Sequence, residues 1–298
     1  MTFLVAGLSD DVQAHAQAGT LLEATLGRHP QRTHLWWARQ GGRCVAAAMV
    51  FDNVGKTAML FANPVSAPGV DAAALVQLVA GIGQHAVGRG ITVVQAMLPP
   101  SQVDDIRALH LAGFKDLAQL VYMRRSIEKA PQVRERQELE WLHHGQFDGQ
   151  RLGRVIESAY GQSLDCPQLE GVREVSDVIA GHKACGRFCP NCWWIVVRSG
   201  QDAGCILVND HDHNSDADVI YMGVAPEHRG AGLGRAMIGR AICQAHQRGR
   251  SGITLAVDDL NTYAKTIYES FGFVEVQRRL AMAMLAKPNL PTANRQRL

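Results

Sequence analysis

Three glycines at alternate positions, Gly230, Gly232 and Gly234, lie between an apolar segment and a long amphipathic one. Because glycine has no Cβ, a backbone rich in glycine can turn sharply and come close to a ligand. The amphipathic segment is predicted to be a helix, and the free N–H groups and dipole of a helix N-terminus favour an anion. Arg229 adds a positive charge just before the turn. The pattern therefore predicts a cradle for a pyrophosphate group.

The spacing of these glycines does not fit a dinucleotide-binding fold, whose fingerprint is G-x-G-x-x-G with a carboxylate about 20 residues further on. Residues 224–234 instead resemble V-x-P-x-x-R-G-x-G-x-G, the acetyl-CoA motif that opens the long central helix of GNAT acetyltransferases. Residues 261–273 resemble the second motif of this superfamily, N-x-x-A-x-x-x-Y-x-x-x-G-F. The resemblance is clear over residues 219–285.

The resemblance implies an α+β fold with α/β-like layers, in which a mixed central β-sheet is flanked by helices. It also implies transfer of an acetyl or other acyl group from acetyl-CoA to a primary amine. The sequence does not identify the acceptor molecule. Backbone groups of Val224 would pair with the pantetheine arm, and Asn261 would lie beside it. The pyrophosphate would be held by Arg229, Gly230, Ala231, Gly232, Leu233 and Gly234. The alternative is a non-catalytic acyl-CoA-binding sensor or interaction module.

Two proton transfers are needed for this chemistry. By the same resemblance, Tyr268 would protonate the leaving thiolate, a task that suits a phenol because it is a neutral donor at pH 7. The alternative for Tyr268 is an aromatic ring that packs one helix face. Asp218, on the strand before the cradle, lies where the family often has its general base, but it could equally be a strand-edge charge in solvent beside Asp216. His211 and His213 are the other candidate bases.

Pairs of residues recur in the same order at a nearly constant distance, which indicates two copies of one fold. The pairs are Trp36-Trp37 with Trp193-Trp194, Asn63-Pro64 with Ala225-Pro226, Ile91-Thr92 with Ile253-Thr254, and Gly113-Phe114 with Gly272-Phe273. We predict a first copy over residues 1–127, a charged linker over 128–137, a second copy over 138–287 and a flexible tail over 288–298. This pairing is similar to that of mycothiol synthase-like tandem GNAT proteins.

The first copy lacks the residues that form the predicted cradle. At constant offset Gly230 corresponds to Pro68, which removes a backbone N–H that a phosphate would use. The predicted proton donor Tyr268 corresponds to Leu109. We therefore expect a degenerate N-terminal GNAT-like domain without an acyl-CoA motif, and one acyl-CoA site per chain.

In the second copy, hydrophobic patterning predicts alternating strands and helices. The predicted strands are 139–142, 193–198, 204–209, 218–224, 253–257 and 277–285. The predicted helices are 149–160, 175–184, 232–248 and 262–271. The loop 160–167 corresponds to one that forms part of the acceptor pocket in GNAT folds, and Asp165 there could attract an amine. The alternative is an ordinary loop after a helix.

Three cysteines have the spacing of the radical SAM iron–sulfur motif: Cys185, Cys189 and Cys192. A zinc site would draw on further ligands, namely Cys166, His182 or Cys205. A radical SAM barrel needs strand–helix repeats after its motif, where the GNAT motifs already lie. The repeat also aligns Cys192 with an apolar residue, Leu35. We therefore predict no metal site, and free cysteines on a loop and at a strand start.

The composition limits the remaining possibilities. The chain has 298 residues, which is enough for two domains. Its net charge of +2 lacks the strong basic bias of nucleic-acid-binding domains. No apolar run approaches the roughly 20 residues of a membrane span, no signal-peptide pattern is present, and seven cysteines do not fit a secreted disulfide framework. We expect a cytoplasmic protein whose partners are acetyl-CoA and an amine, with no nucleic acid or membrane partner. The sequence does not indicate the oligomeric state.

Overall fold

The structure is a computed structural model that describes residues 30–129, 136–212 and 214–286. Its strands are β1 (Thr33–Gln40), β2 (Arg43–Asn53), β3 (Thr57–Ala62), β4 (Val93–Leu98), β5 (Lys115–Ser126), β6 (Leu139–His143), β7 (Trp193–Arg198), β8 (Gln201–Asp210), β9 (Asp216–Val224), β10 (Gly252–Asp258) and β11 (Val274–Leu285). Its α-helices are α1 (Ala72–Gly88), α2 (Val103–Leu111), α3 (Gly149–Tyr160), α4 (Val175–Lys183), α5 (Leu233–Gln247) and α6 (Thr262–Ser270). None of these described helices combines the length and the apolar character that a membrane crossing requires.

The described residues form two compact units that do not follow chain order. The first unit contains residues 30–96, 103–115 and 282–286. The second unit contains residues 97–102, 116–129, 136–212 and 214–281.

In the first unit, β1, β2 and β3 form an antiparallel sheet, and β4 joins β3 in parallel. A parallel neighbour requires a crossover, which α1 supplies. This helix begins at an Asp71 cap, where the carboxylate accepts a hydrogen bond of 2.9 Å from the N–H of Ala74. The apolar face of α1 buries Leu75, Val79 and Ile82, and it packs on β1 and β2.

In the second unit, β6, β7, β8 and β9 are antiparallel neighbours in chain order, and β10 joins β9 in parallel after the crossover helix α5. Next to β10 lies β5, in antiparallel register from Leu120↔Asp258 to Ser126↔Gly252. The strand order of this unit is β6-β7-β8-β9-β10-β5-β11.

Because of the position of β5, the boundaries of the compact units differ from those of the predicted sequence copies. Residues 116–126 belong to the first predicted copy, 1–127, yet they lie in the second unit because they pair with β10. The division into residues 1–127 and 138–287 therefore stays a prediction about duplication. The compact units do not follow its boundaries.

Helices cover both faces of the sheet in the second unit, and adjacent tryptophans mark the two faces. Trp193 packs with α3 and α4, whereas Trp194 packs with α5 and α6. Successive strand residues point to opposite faces, so the Trp-Trp pair supplies both cores. The predicted elements of this part of the chain agree with the structure to within three residues at each end.

A buried asparagine fixes the end of α4 to the sheet. Asn209 is fully buried, and its Oδ1 accepts a hydrogen bond of 2.9 Å from the Trp193 indole. Its Nδ2 donates to the carbonyls of His182 and Cys185, at 2.9 and 2.6 Å. All polar atoms of this side chain are therefore used, and the loop after α4 is held against β8.

Candidate functional site

The parallel ladder between β9 and β10 ends early. Only four residue pairs connect the two strands in the described chain, and the last is Val219 with Leu255. At this point β9 also carries an extra residue, because Val208 pairs with Val219 and Leu207 with Tyr221, which leaves Ile220 as a bulge. A gap therefore opens between the second half of β9 and the end of β10.

A glycine turn connects β9 to α5 beside this gap. Gly230 and Gly232 have φ angles of +74° and +73°, a left-handed conformation that glycine adopts without the strain of a side chain. Gly232 is the N-cap residue of α5, and no side chain caps this helix. Gly234 has a different role, because a Cβ there would lie 3.3 Å from Cδ1 of Ile267 in α6, a tight contact that the Ile267 side chain would have to relieve.

The two units differ at the N-termini of their crossover helices. In the first unit, the carboxylate of Asp71 already accepts a hydrogen bond from the first turn of α1. In the second unit, the N–H groups of the first turn of α5 have no side-chain acceptor. Free N–H groups at a helix N-terminus form an anion site, and α5 offers one where α1 does not.

The Arg229 guanidinium is bound to backbone carbonyls, so the structure does not leave it as the free cation predicted at the turn. It donates to the carbonyls of Val224 at 3.1 Å, Gln162 at 3.0 Å, Ala159 at 3.0 Å and Gly161 at 2.7 Å. Three of these carbonyls end α3 and begin the loop after it. Arg229 therefore ties the acceptor loop predicted from the sequence to the end of β9, and only its backbone is left to contact a phosphate.

A second arginine, which was not predicted from the sequence to be at the site, lies at the turn. Nη1 of Arg136 donates to the Ala231 carbonyl at 2.7 Å, and it would lie 3.3 Å from a Cβ on Gly232. Nη2 of the same guanidinium forms an ion pair with the Glu138 carboxylate at 2.6 Å. Arg136 belongs to the predicted linker, 128–137, and no spacing motif marks it. Its guanidinium therefore lies at the turn before α5, where it already pairs with Glu138 and the Ala231 carbonyl.

Tyr268 lies in the core on the α5 side of the sheet. Only 6 % of its surface is exposed, and its ring centroid is 5.8 Å from that of Phe273. Burial, together with the charge of Asp165, raises the pKa of its hydroxyl above the ordinary value. The phenol is therefore protonated at neutral pH, which a proton donor requires.

Asp165 and Asn261 come together at the end of β10, although they are 96 residues apart. The Asn261 amide donates to Asp165 at 2.9 Å, and its oxygen caps α6 at the N–H of Ala264. Asp165 also accepts from the N–H of Asp258 at 3.1 Å. The burial of the Asp165 carboxylate raises its pKa. The loop after α3 is thus fastened beside the gap, and it carries a carboxylate that acts electrostatically on Tyr268.

The two neighbouring carboxylates at the start of β9 have different environments. Asp216 is buried and forms a bidentate pair with Arg124, at 2.7 and 3.0 Å, which lowers its pKa. Asp218 is half-buried and accepts a hydrogen bond of 2.7 Å from Thr254, and burial raises its pKa. His211 reaches the same Thr254 hydroxyl at 2.8 Å. The predicted alternative His213 lies outside the described residues.

Asp218 and Tyr268 belong to opposite faces of the sheet. Ala217 and Val219, the neighbours of Asp218 in β9, pack in the same core cluster as Tyr268. Because strand residues alternate, Asp218 points to the other face, which carries α3 and α4. The two predicted catalytic residues therefore lie on opposite faces of the sheet, and Asp218 lies in the paired part of β9, opposite Thr254.

Residues 190–275 match the family model of the acetyltransferase (GNAT) domain. The chain contains a GNAT acetyltransferase domain. Mycothiol acetyltransferase from Thermobispora bispora is 36% identical to this chain over 91 residues, which are 29% of this chain and 31% of that protein. N-acetylaspartate synthetase from Rattus norvegicus is 26% identical over 83 residues, 28% of each chain. This chain thus spans about a third or less of the length of these relatives, in the region of the GNAT domain.

Solved structures extend the likeness of fold beyond the GNAT domain. A GCN5-related N-acetyltransferase from Sphaerobacter thermophilus aligns with a TM-score of 0.54 at 17% identity, over 83% of this chain and 78% of that one. A tandem GNAT protein from the clavulanic acid biosynthesis pathway aligns with a TM-score of 0.51 at 17% identity, over 86% and 84%. The predicted fold class, an α+β tandem GNAT architecture with a mixed sheet flanked by helices, is confirmed.

The cysteines ahead of the GNAT domain's β7 are not all free, as the sequence had suggested. Cys189 and Cys192 form a disulfide, because a short 3-10 turn over Pro190–Cys192 brings their Cα atoms to 5.3 Å. Cys185 stays a free and exposed thiol. In the described part of the chain, no group of three or more His, Cys, Asp or Glu side chains is arranged to hold a metal ion.

The disulfide gives a direct prediction for thiol counting. Five of the seven cysteines are free, so alkylation of the denatured protein without a reductant should add five labels, and alkylation after reduction should add seven. Intact-mass spectrometry measures both numbers, and peptide mapping should place the missing labels on Cys189 and Cys192. A count of seven without reductant would show that the pair is not bonded in solution.

Proposed function

We propose that this protein is an N-acetyltransferase that transfers the acetyl group of acetyl-CoA to a primary amine. The observation that carries the proposal is the strand gap between β9 and β10 beside the N-terminus of α5, whose first turn has no side-chain cap. Tyr268 packs on one face of this sheet, and Asp218 lies on the other face, in the paired part of β9 before the gap. The names of the relatives, an acetyltransferase and an acetyl-amino-acid synthetase, support the reaction class. Their acceptors are not carried over to this chain.

The donor is proposed to bind along the gap and the glycine turn. Among the described residues, β10 pairs with β9 only up to Val219, so the backbone of residues 220–223 is left to the amide groups of a pantetheine arm, since N–H and C=O groups need partners. The Val224 carbonyl already accepts a hydrogen bond from Arg229, which leaves its N–H for the predicted contact. The pyrophosphate would lie on the first N–H groups of α5, with the backbone of the turn around it. Arg136 supplies the positive side chain for this site, whereas Arg229 positions the turn.

The chemistry requires a proton to leave the amine and a proton to reach the sulfur. The amine nitrogen attacks the thioester carbonyl, the C–S bond breaks, and the CoA thiolate takes its proton from Tyr268. Asp218 takes a proton from the amine, because its raised pKa lies closer to neutral pH than that of an ordinary aspartate. The Thr254 hydroxyl holds its carboxylate, and His211 contacts the same hydroxyl, which offers a path onward for the proton.

The first unit is proposed to carry no donor site of its own. Its crossover helix is capped by Asp71, and Pro68 in the preceding turn has no N–H to offer. One acetyl-CoA should therefore bind per chain.

The change Gly232→Asp tests the donor site. It places a carboxylate at the proposed pyrophosphate position, so acetyl-CoA binding in calorimetry should weaken by about 100-fold or more. Gly249→Asp is the matched control, because Gly249 also has a positive φ, at the other end of α5, with open space around it. Equal effects of both changes, or two equivalent sites in the wild-type protein, would contradict the proposal.

The change Tyr268→Phe separates an enzyme from a binding module. It keeps the ring and its packing, so acetyl-CoA affinity should stay near that of the wild type. The rate of amine acetylation should fall by about 10²–10⁴-fold, because the hydroxyl acts when charge develops on sulfur. Stopped-flow or coupled thiol-release assays measure this rate at saturating acetyl-CoA. An unchanged kcat, with chemistry rate-limiting, would remove Tyr268 from the mechanism.

The pH dependence tests Asp218. As the pH falls through the raised pKa of this base, its carboxylate takes up a proton, so kcat/KM should decline on the acid side. Asp218→Asn should lower kcat by about 10²–10⁴-fold at neutral pH and leave a rate that rises with pH only as free amine accumulates. Asp212→Asn, at an exposed carboxylate on the preceding loop, is the control. A wild-type pH profile in Asp218→Asn would assign the base elsewhere.

A further inference from the structure

The bonded cysteines ahead of β7, Cys189 and Cys192, have the sequence Cys-Pro-Asn-Cys. This is the C-x-x-C spacing of disulfide oxidoreductases, in which the thiolate of one cysteine is stabilised. The bond closes a loop of only four residues, so it removes less chain entropy than a bond across a long loop. The other five cysteines are free, so this bond is isolated and does not belong to a structural disulfide framework. These features fit a bond that opens and closes rather than one that holds the fold.

The two bonded residues differ in accessibility. Cys192 is fully buried in the core on which α5 packs. Cys189 is half-buried and lies between exposed residues, with 183–187 before it and Pro190 and Asn191 after it. A thiolate that approaches from solvent can therefore reach Cys189, whereas the core shields Cys192.

A guanidinium contacts the more accessible sulfur. Nη1 of Arg248 donates to Sγ of Cys189 at 3.4 Å. The same nitrogen donates to both oxygens of the Asp210 carboxylate, at 2.8 and 3.0 Å. Asp210 also pairs with Arg187 at 3.1 Å and with Arg250 at 3.5 Å. One carboxylate is thus shared by three guanidinium groups, and the positive charge left in this cluster favours a thiolate at Cys189.

Cys185, four positions before Cys189, has the opposite electrostatic environment. Desolvation, together with the charges of Asp218 and Asp212, raises the pKa of its thiol to about 11. The thiol is therefore protonated at neutral pH, and it reacts slowly because the thiolate is the nucleophile. The two neighbouring sulfurs are distinguished by the sign of the charge beside them.

We propose that Cys189 and Cys192 form a thiol–disulfide exchange site that is reduced by a dithiol while the protein stays folded. A thiolate of the dithiol attacks Sγ of Cys189, the bond to Cys192 breaks, and the Cys192 sulfur leaves and takes up a proton. The second thiolate of the dithiol then attacks its own sulfur in the mixed disulfide and releases Cys189 as a thiolate beside Arg248. Two electrons pass to the protein, and the dithiol becomes a disulfide and gives its second proton to solvent. This site is independent of the proposed acetyl transfer.

Reduction and reoxidation of the intact chain test the exchange. The folded protein is reduced with dithiothreitol, freed of the reductant, and reoxidised with oxidised glutathione. Alkylation in denaturant and intact-mass spectrometry should give seven labels after the first step and five after the second. Peptide mapping should place the change on Cys189 and Cys192, and circular dichroism should stay that of the folded protein. A pair that opens only when the chain unfolds, or that does not close again, would overturn the proposal.

Single-cysteine variants identify the sulfur that is attacked. In Cys192→Ser, the remaining Cys189 thiol should form a mixed disulfide with oxidised glutathione in the native protein. In Cys189→Ser, the buried Cys192 thiol should react roughly 100-fold more slowly, because access limits exchange. Mass spectrometry of mapped peptides follows both rates, with Cys185 as a slow internal reference. Equal rates at the two positions, or a faster reaction at Cys192, would contradict the assignment.

The contribution of Arg248 is measured in the Cys192→Ser background. Arg248→Gln should lower the rate at which iodoacetamide alkylates Cys189 by roughly 3-fold to 10-fold near neutral pH, and Arg248→Lys should keep most of the rate. Arg250→Gln is the matched control, because Arg250 pairs with the same Asp210 but makes no hydrogen bond to the sulfur. Equal losses in Arg248→Gln and Arg250→Gln would remove Arg248 from the site. The redox cycle and the single-cysteine variants decide the proposal even if Arg248→Gln does not fold.

Discussion

Two parallel strands, β9 and β10, hydrogen-bond over four residue pairs and then separate. Every backbone group that the missing half of this ladder would have used must find another partner, because unpaired N–H and C=O groups are costly away from water. An extended ligand with amide groups of its own would supply such partners in place of the missing strand pairs. The separation also opens the sheet at one point, between the face on which Tyr268 packs and the face to which Asp218 points.

The crossover helices of the two units begin in different ways. In α1, Asp71 satisfies the first turn from within the chain, which is worth about 1 kcal/mol of stability for such a cap. In α5 the cap residue is Gly232, which leaves the same groups open. The first turn of α5 therefore lacks this local contribution to stability. Arg229 instead joins the end of β9 to the end of α3 through four carbonyls.

Local signals in the sequence predicted the helices and strands of the second copy, and two motifs located the turn and Tyr268, because hydrophobic period and motif spacing are properties of neighbouring residues. The contacts of Arg136 with Ala231 and of Asp165 with Asn261 join residues more than 90 positions apart. They are set by packing, and no residue spacing encodes them. The motif places Arg229 beside the turn, but it cannot reveal that the guanidinium binds the Val224 carbonyl and three carbonyls at the end of α3. The assignment of Tyr268, Asp218 and the cradle to catalysis and donor binding stays a prediction.

The pairing of β5 with β10 has a consequence for how this chain folds and evolves. The two strands come from positions roughly 130 residues apart, with β10 entering the sheet between β9 and β5. Long-range pairing of this kind slows folding, because a large loop must close before the contact is made. A fragment that began after the predicted linker would leave β10 with an open edge, the sort of surface that aggregates. The predicted first copy would therefore remain necessary even without a ligand site of its own, because residues 116–126 cover the edge of β10.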